Sequence, residues 1–259
     1  MKKYLKINQQ FFYILIRSFD SFKYFDKCID SVLAQSYKNY KILFVDDASK
    51  YNKNQTDFIK NKLEGHTVVF NKERKYSLYN AYHMINKYAN EDGAVVFNLD
   101  GDDCLMDNDV LAYVNLVYQK TGCFLTYGEC VHWNGKELSK PAHLIKQYTN
   151  IPYPKDVVKS NSYRNYPFLP LHPRTWKVWL FKKIKRSDFL RPDGSWLQFA
   201  EDQAMFYPML EIAKGKYAVM SKPLYVYNIA TKNSDNKQNL IRLLKDELII
   251  RRKTMLKSD

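Results

Sequence analysis

The chain has 259 residues, of which 46% are hydrophobic and 26% charged. These are the proportions of a globular protein with room for one large domain or two small ones, and they exclude a disordered chain. Only 8 Gly and 9 Pro exclude collagen-like and low-complexity designs, while 41 Lys and Arg against 27 Asp and Glu give a formal charge of +14, which calls for an anionic partner: nucleic acid, anionic lipid or a phosphorylated substrate.

Residues 11–16 form a continuous apolar run that predicts a buried strand. The run is too short for the apolar region of a secretory signal. Residues 22–35 carry Phe22, Phe25, Ile29, Val32 and Leu33 at helical spacing. A second strand is expected at 41–45, ending on Asp46-Asp47, then a short helix at 56–63 and a strand at Thr67–Phe70. A helix over 77–88 places Leu78, Ala81, Met84 and Ile85 on one face. A buried strand at 94–99 runs into Asp100-Gly101-Asp102-Asp103, followed by a helix at 110–118 and a strand at 123–127. Strands alternating with helices imply an α/β layer on a mainly parallel sheet. Ligands bind such sheets at the carboxyl ends of the strands, where both acidic clusters fall.

Residues 133–173 are broken up by prolines. Beyond them, 174–184 reads as an aromatic helix and Glu201–Ala213 as another helix. Strands are expected at 217–220 and 224–227 around Pro223, and a basic amphipathic helix at 240–256. No run approaches the ~18 apolar residues of a membrane span. The four cysteines, Cys28, Cys104, Cys123 and Cys130, form no C-x-x-C pair or zinc pattern and read as reduced thiols of a cytoplasmic protein.

Three carboxylates within four residues, Asp100, Asp102 and Asp103, repel one another at a strand end. A divalent cation with hard-oxygen preference, Mg²⁺ or Mn²⁺, relieves that conflict and leaves positions open for phosphates. Gly101 permits close approach of ligand or backbone. The competing reading is a solvated acidic turn or helix cap. Capping is also the simpler reading of Asp46-Asp47 taken alone, and of Glu201-Asp202 in the first turn of a helix.

Taken in order, these segments resemble family 2 glycosyltransferases. Residues 14–49 match its opening through Ser31, Val32, Gln35, Tyr37, Val45, Asp46, Asp47 and Ser49. VFNLDGDD resembles its strand plus D-x-D-D, Asn80 stands at the Asn of its A-R-N element, FAEDQAMF resembles its E-D element, and LYVYNIATKNS its late L-Y-x-Y segment. The resemblance implies a GT-A fold, Rossmann-like with a central, mainly parallel sheet flanked by helices. It implies one catalytic domain over 1–259: a nucleotide-sugar half at about 10–130, an acceptor half at about 131–235, and the terminal helix at about 236–259.

It further implies an inverting transfer from a nucleotide-diphosphate donor, UDP-sugar first, assisted by Mn²⁺ or Mg²⁺. Asp46 would accept from the nucleobase with Asp47 beside it, Asp100 and Asp102 would serve ribose and metal-diphosphate, and Asp103 is a further metal-ligand candidate. Asp202 would be the general base, with Glu201 positioning it or standing in. The first loop reads Arg17-Ser18-Phe19-Asp20 in place of the family's Pro-x-Tyr-Asn, so Arg17 and Phe19 join the donor candidates. Tyr79 replaces the Arg before Asn80, and Arg74 and Lys75 are alternatives for the diphosphate. The late histidine that completes the family's metal shell is missing.

His172 and Trp176 to Trp179 are candidates for the acceptor site, against ordinary core packing. Residues 1–149 hold 20 basic and 17 acidic side chains, and 150–259 hold 21 and 10. The surplus therefore lies with Lys182, Lys183, Lys185, Arg186 and the terminal helix. That placement favours an anionic glycan, glycolipid or protein acceptor, or a peripheral membrane contact through the terminal helix, over specific nucleic acid. A nucleotidyltransferase is the competing enzyme class, though a Gly-rich phosphate loop is absent after the first strand. A basic nucleic-acid or membrane-surface binding protein is the non-enzymatic reading.

Overall fold

The structure, a computed structural model, describes residues 9–141, 150–231 and 239–256. Residues 232–234 of the LYVYNIATKNS segment, and 236–238 and 257–259 of the expected terminal segment, lie outside the described residues. The strands are β1 (Phe12–Ser18), β2 (Tyr40–Asp46), β3 (Thr67–Phe70), β4 (Val95–Asp100), β5 (Cys104–Leu105), β6 (Leu125–Trp133), β7 (Leu138–Pro141), β8 (Arg174–Lys177) and β9 (Tyr217–Asn228). The helices are α1 (Phe22–Leu33), α2 (Lys53–Lys62), α3 (Tyr76–Tyr88), α4 (Val110–Thr121), α5 (Lys155–Ser160), α6 (Val178–Lys182), α7 (Glu201–Ala213) and α8 (Leu240–Arg252).

The strands join in one sheet of order β3-β2-β1-β4-β8-β6-β9-β5, with β7 on β6. β1 pairs in parallel with β2 and β4, and β2 with β3, so this half is parallel. β8 runs antiparallel between β4 and β6. The apolar run of β1 has no polar alternation because both of its faces are covered. Tyr13 and Leu15 enter a core shared with α3 and α7, whereas Phe12, Ile14 and Ile16 enter one shared with α1 and α4. Each such side chain contributes roughly 1.5–3 kcal/mol.

From β1 the chain steps outward to β2 and β3, then returns to β4 on the other side of β1. The reversal opens a crevice at the carboxyl ends of β1 and β4. In register there, Arg17 stands beside Asp100 and Ser18 beside Asp46. Gly101 closes the junction: its N–H donates to Arg17 O at 2.8 Å, and a Cβ at this position would meet Arg17 O and Ser18 Cα at 3.0 Å.

The expected helix at 174–184 is corrected in its first four residues. Arg174–Lys177 is β8, and only Val178–Lys182 is helical. Arg174, Thr175 and Trp176 are all buried, so no alternation marks the strand, and it runs into the helix without a breaker. The strands expected at 217–220 and 224–227 are one strand, β9, which passes Pro223 where its register with β6 shifts, the kind of place that tolerates a proline. The strand expected at 123–127 begins at Leu125 and extends to Trp133. The irregular stretch after it includes β7 and α5.

The terminal helix expected at 240–256 is present as α8 but ends at Arg252, leaving residues 253–256 non-helical. It docks by Asp246 and Ile250 and by Arg251, whose Nη1 donates to Arg164 O and Tyr166 O. Beneath it Arg164 forks onto the fully buried Glu211 and also donates to Ile250 O. No helix among the described residues is long and apolar enough to cross a membrane, and all four cysteines are buried free thiols.

Candidate active site

A cavity of about 470 Å³ opens at the β1–β4 crevice; β6 (Cys130, His132), the end of β9 (Tyr227, Asn228) and Leu243 of α8 close part of it, and its other walls come from segments far apart in sequence. Arg17, Ser18 and Phe19 follow β1. Asp47, Arg74, Tyr76 and Asn80 surround the start of α3. Asp100, Asp102 and Asp103 end β4. His172 and Arg174 precede and open β8, and Glu201 and Asp202 begin α7. Of the sequence candidates, Asp46, Lys75 and Gly101 stand outside the lining. The loops around the cavity hold four non-glycine residues at positive φ: Asp20, Ala48, Tyr76 and Ala200. Strain of this kind costs roughly 1–3 kcal/mol per residue and collects at functional sites.

The Asp46-Asp47 pair divides its work. Asp46 is buried and closes its own turn, accepting from Ser49 N at 2.8 Å and Ser49 Oγ at 2.6 Å. Asp47 builds the entrance to α3. Its carboxylate accepts from Lys75 N and Tyr76 N at 2.8 Å and from Asn71 Nδ2 at 2.9 Å, and Asn71 also donates to Asn80 Oδ1. Arg74 lies with its guanidinium 3.4 Å from the Phe19 ring centre and its Nε 3.7 Å from Asp47, making one wall of the cavity. The Lys75 ammonium instead pairs with Glu73.

The carboxylates after β4 have three different environments. Asp100 bonds Arg17 Nη2 at 2.8 Å. Burial works against its charge, but Arg17, with Arg174 behind it, holds the group below the ordinary carboxylate range. Asp103 is buried and fully engaged, accepting from Tyr225 Oη and Asn228 N at 2.7 Å each. Burial and then the neighbouring Asp102 and Asp100 charges push it well above that range. Asp102, partly exposed like Asp100, is raised to about 6 by burial and by Asp100. Among the described residues no group of three His, Cys, Asp or Glu is arranged to hold a metal ion. Of the cavity-lining carboxylates after β4, Asp100 is tied to Arg17 and Asp103 to Tyr225 and Asn228, so Asp102 is the one whose carboxylate fits a cation that takes its remaining oxygens from phosphate and water.

Across the cavity, Asp202 accepts from Arg174 Nη2 at 2.9 Å and from Gln203 N at 2.8 Å. Arg174 is itself fixed by donating from Nε to Pro170 O at 3.1 Å. Glu201 lies 3.6 Å from Arg17 Nη1. Burial lifts its carboxyl to about 7 against the opposing pull of Arg17, with Asp202 adding to the lift. A buried guanidinium thus links the carboxylate after β4 to the first turn of α7. His172 stacks on Tyr225 at 4.6 Å and is held neutral, its pKa pulled to about 3 by burial and then by Arg174.

Trp176 is fully buried between Phe181 and Phe206, and Trp179 packs on Phe124. Neither reaches the cavity. Lys182, Lys183, Lys185 and Arg186 also lie outside it; Lys182 pairs with Asp92 and Arg186 covers Trp196. Arg174, Asn71 and Tyr225 were not among the sequence candidates. Arg174 was concealed by the strand that reads as helix. Asn71 carries no motif, and Tyr225 lay in view as the first Tyr of LYVY.

A family model described as glycosyl transferase family 2 matches residues 13–181. A search of curated proteins returned no match. Among solved structures, S. aureus TarS superposes with a TM-score of 0.61 at 17% identity, over 85% of this chain and 37% of that one. TarS 1-349 in complex with UDP-GlcNAc gives 0.62 at 15% identity, over 88% and 61%. The mannosyltransferase PcManGT from Pyrobaculum calidifontis, in complex with GDP-Man and Mn²⁺, gives 0.57 at 15% identity, over 98% and 70%. The chain thus spans less than two thirds of each of these two TarS chains. At these identities the likeness speaks for the fold, an α/β fold of GT-A type.

Proposed function

The chain belongs to glycosyl transferase family 2, and from that premise we propose that it is an inverting glycosyltransferase, moving a sugar from a nucleotide-diphosphate donor, UDP-sugar first, to an acceptor hydroxyl. One observation carries the reading: a single cavity faces Asp47, Asp100 and Asp102 toward Glu201 and Asp202, so a donor along the sheet edge would present its anomeric carbon to the first turn of α7. The bound UDP-GlcNAc of TarS and GDP-Man of PcManGT support a sugar nucleotide.

On this reading, Phe19, Arg74, Asp47 and Asn80 shape the nucleoside end and Asp100 the ribose. Asp46 supports its turn from behind and Gly101 keeps the β4 end close to β1. A divalent cation, Mn²⁺ or Mg²⁺, would be held by Asp102 and would stabilise charge on the departing diphosphate. Asp103, locked by Tyr225 and Asn228, sets the position of the Asp102 loop. Asp202 is the general base. Each carboxylate oxygen has two acceptor sites, so the bonds to Arg174 and Gln203 leave one on each for the acceptor O–H. As the acceptor oxygen bonds the anomeric carbon, its proton passes to Asp202 and the bond to the diphosphate oxygen breaks, which inverts the centre without a protein nucleophile.

Thermal unfolding in the presence of UDP, GDP, UDP-sugars and GDP-sugars, each with and without Mn²⁺, tests donor binding. A ligand at 100 times its Kd stabilises by about 2.7 kcal/mol, a rise of roughly 5–10 °C for a chain of this size. No rise with any nucleotide would remove the reading.

A further inference from the structure

We propose that the outward face of α8 docks this protein on an anionic lipid bilayer. At 100° per residue, Leu240, Ile241, Leu244 and Leu248 share an arc of about 100°, and they are 55%, 72%, 48% and 52% exposed. Asp246 and Ile250 occupy the other side of the helix and are buried. The four apolar side chains of the arc therefore point away from the packed side, and Arg251, which falls on the same arc, reaches back to Arg164 O and Tyr166 O. Scattered apolar residues on a surface are ordinary; four on one arc of one helix form a patch.

The charges beside the arc select the occupant. Lys245 and Arg252 border it and are exposed, and the one acidic residue of α8 beside it, Glu247, is already paired with Arg251 at 2.8 Å. An apolar stripe flanked by cations is the pattern of a helix lying in the interface of an anionic membrane. A second copy of the chain fits poorly: a two-fold contact brings Lys245 and Arg252 toward their own counterparts, and four side chains fall far short of the roughly 1,200 Å² that stable interfaces bury. The adjacent Leu243 lines the cavity, so a bilayer against this arc lies beside the cavity. The docking needs no donor and stands or falls separately from the transfer reaction.

Co-sedimentation of the full chain with vesicles is the test, using phosphatidylcholine alone and with about 30% phosphatidylglycerol to supply the anionic surface. Binding to the anionic vesicles only, reduced by high salt, is the expected result. Ile241→Asp with Leu244→Asp should lower partitioning by at least about tenfold, because each substitution removes an exposed apolar side chain that the bilayer would bury. Leu116→Asp, at a residue 42% exposed on α4, should leave it unchanged. Unaltered unfolding temperatures establish that the variants are folded. Failure of the wild-type chain to bind anionic vesicles, equal binding by the double variant, or a dimer in analytical ultracentrifugation that the double substitution dissolves would each overturn the proposal.

Discussion

Asp246 on α8 is 1% exposed and reaches from the terminal helix to the segment that introduces α7. It accepts from Arg191 Nε and Nη2 at 2.8 and 2.7 Å, and from Gln198 N and Phe199 N at 3.0 Å each. Residues 198 and 199 lead through Ala200, at φ 52°, into Glu201 and Asp202. Replacing Asp246 with Ala strands two backbone donors at roughly 1–3 kcal/mol each and leaves the Arg191 guanidinium without its carboxylate. Arg191 retains its bond to Trp196 O and is 21% exposed, so this loss falls below the 3–5 kcal/mol of a fully buried pair. These terms overlap, and a total of about 4 kcal/mol follows. At 2–4 °C per kcal/mol this is a drop of roughly 8–16 °C in Tm. Asp246→Asn keeps one acceptor oxygen and should lose about half as much. Urea unfolding followed by circular dichroism measures the loss, and steady-state kinetics should show kcat falling more than KM for the donor rises. An Asp246→Ala protein within 0.5 kcal/mol of wild type would refute the claim that α8 holds the α7 entrance in place.

Gly101→Ala would force a Cβ to 3.0 Å from backbone atoms of Arg17 and Ser18; it should destabilise by roughly 1–3 kcal/mol and lower kcat/KM, and a neutral effect on both would contradict the close approach. Glu201 has its folded pKa raised from 4.5 to about 7, so the native state binds the extra proton between those values and stability declines as pH rises through them. Relative to wild type, Glu201→Gln should gain stability between pH 4.5 and 7, with the gain level above that, whereas a pH-independent difference would argue against the shift. Arg174→Met removes the 2.9 Å restraint on Asp202 while keeping an apolar stem against Phe168 and Phe206. We expect kcat to fall about 10–100-fold with little change in donor KM, as for a slackened base; a change confined to KM would instead place Arg174 in donor binding.

Much of the parallel half of the sheet was legible because its strands are covered on both faces. Apolar runs bounded by Asp46-Asp47 and Asp100-Gly101-Asp102-Asp103 place those clusters at strand ends, and the parallel register then carries Arg17 to Asp100. The second half was less open to reading. β8 is four residues long and buried between two strands of opposite direction, so neither alternation nor length distinguishes it from the helix it feeds. Arg174, which holds Asp202, was lost with it. The pairing of Asp103 with Tyr225 and Asn228, more than 120 residues away, is a product of β9 folding beside the crevice. No local pattern encodes it, and the same is true of the Asp246 clamp. The charge surplus also resolves into parts: Lys182 and Arg186 cover their own surface, while Lys245 and Arg252 border the exposed arc of α8.

Turnover of a nucleotide-sugar by wild type and by Asp202→Asn, with donor binding followed in parallel by thermal shift, tests the central claim most directly. Loss of a general base predicts a fall in kcat of about 10²–10⁴-fold with donor binding retained, because Asn keeps the size of the side chain. Wild-type kcat in the Asn variant would contradict the assignment of Asp202 as the base.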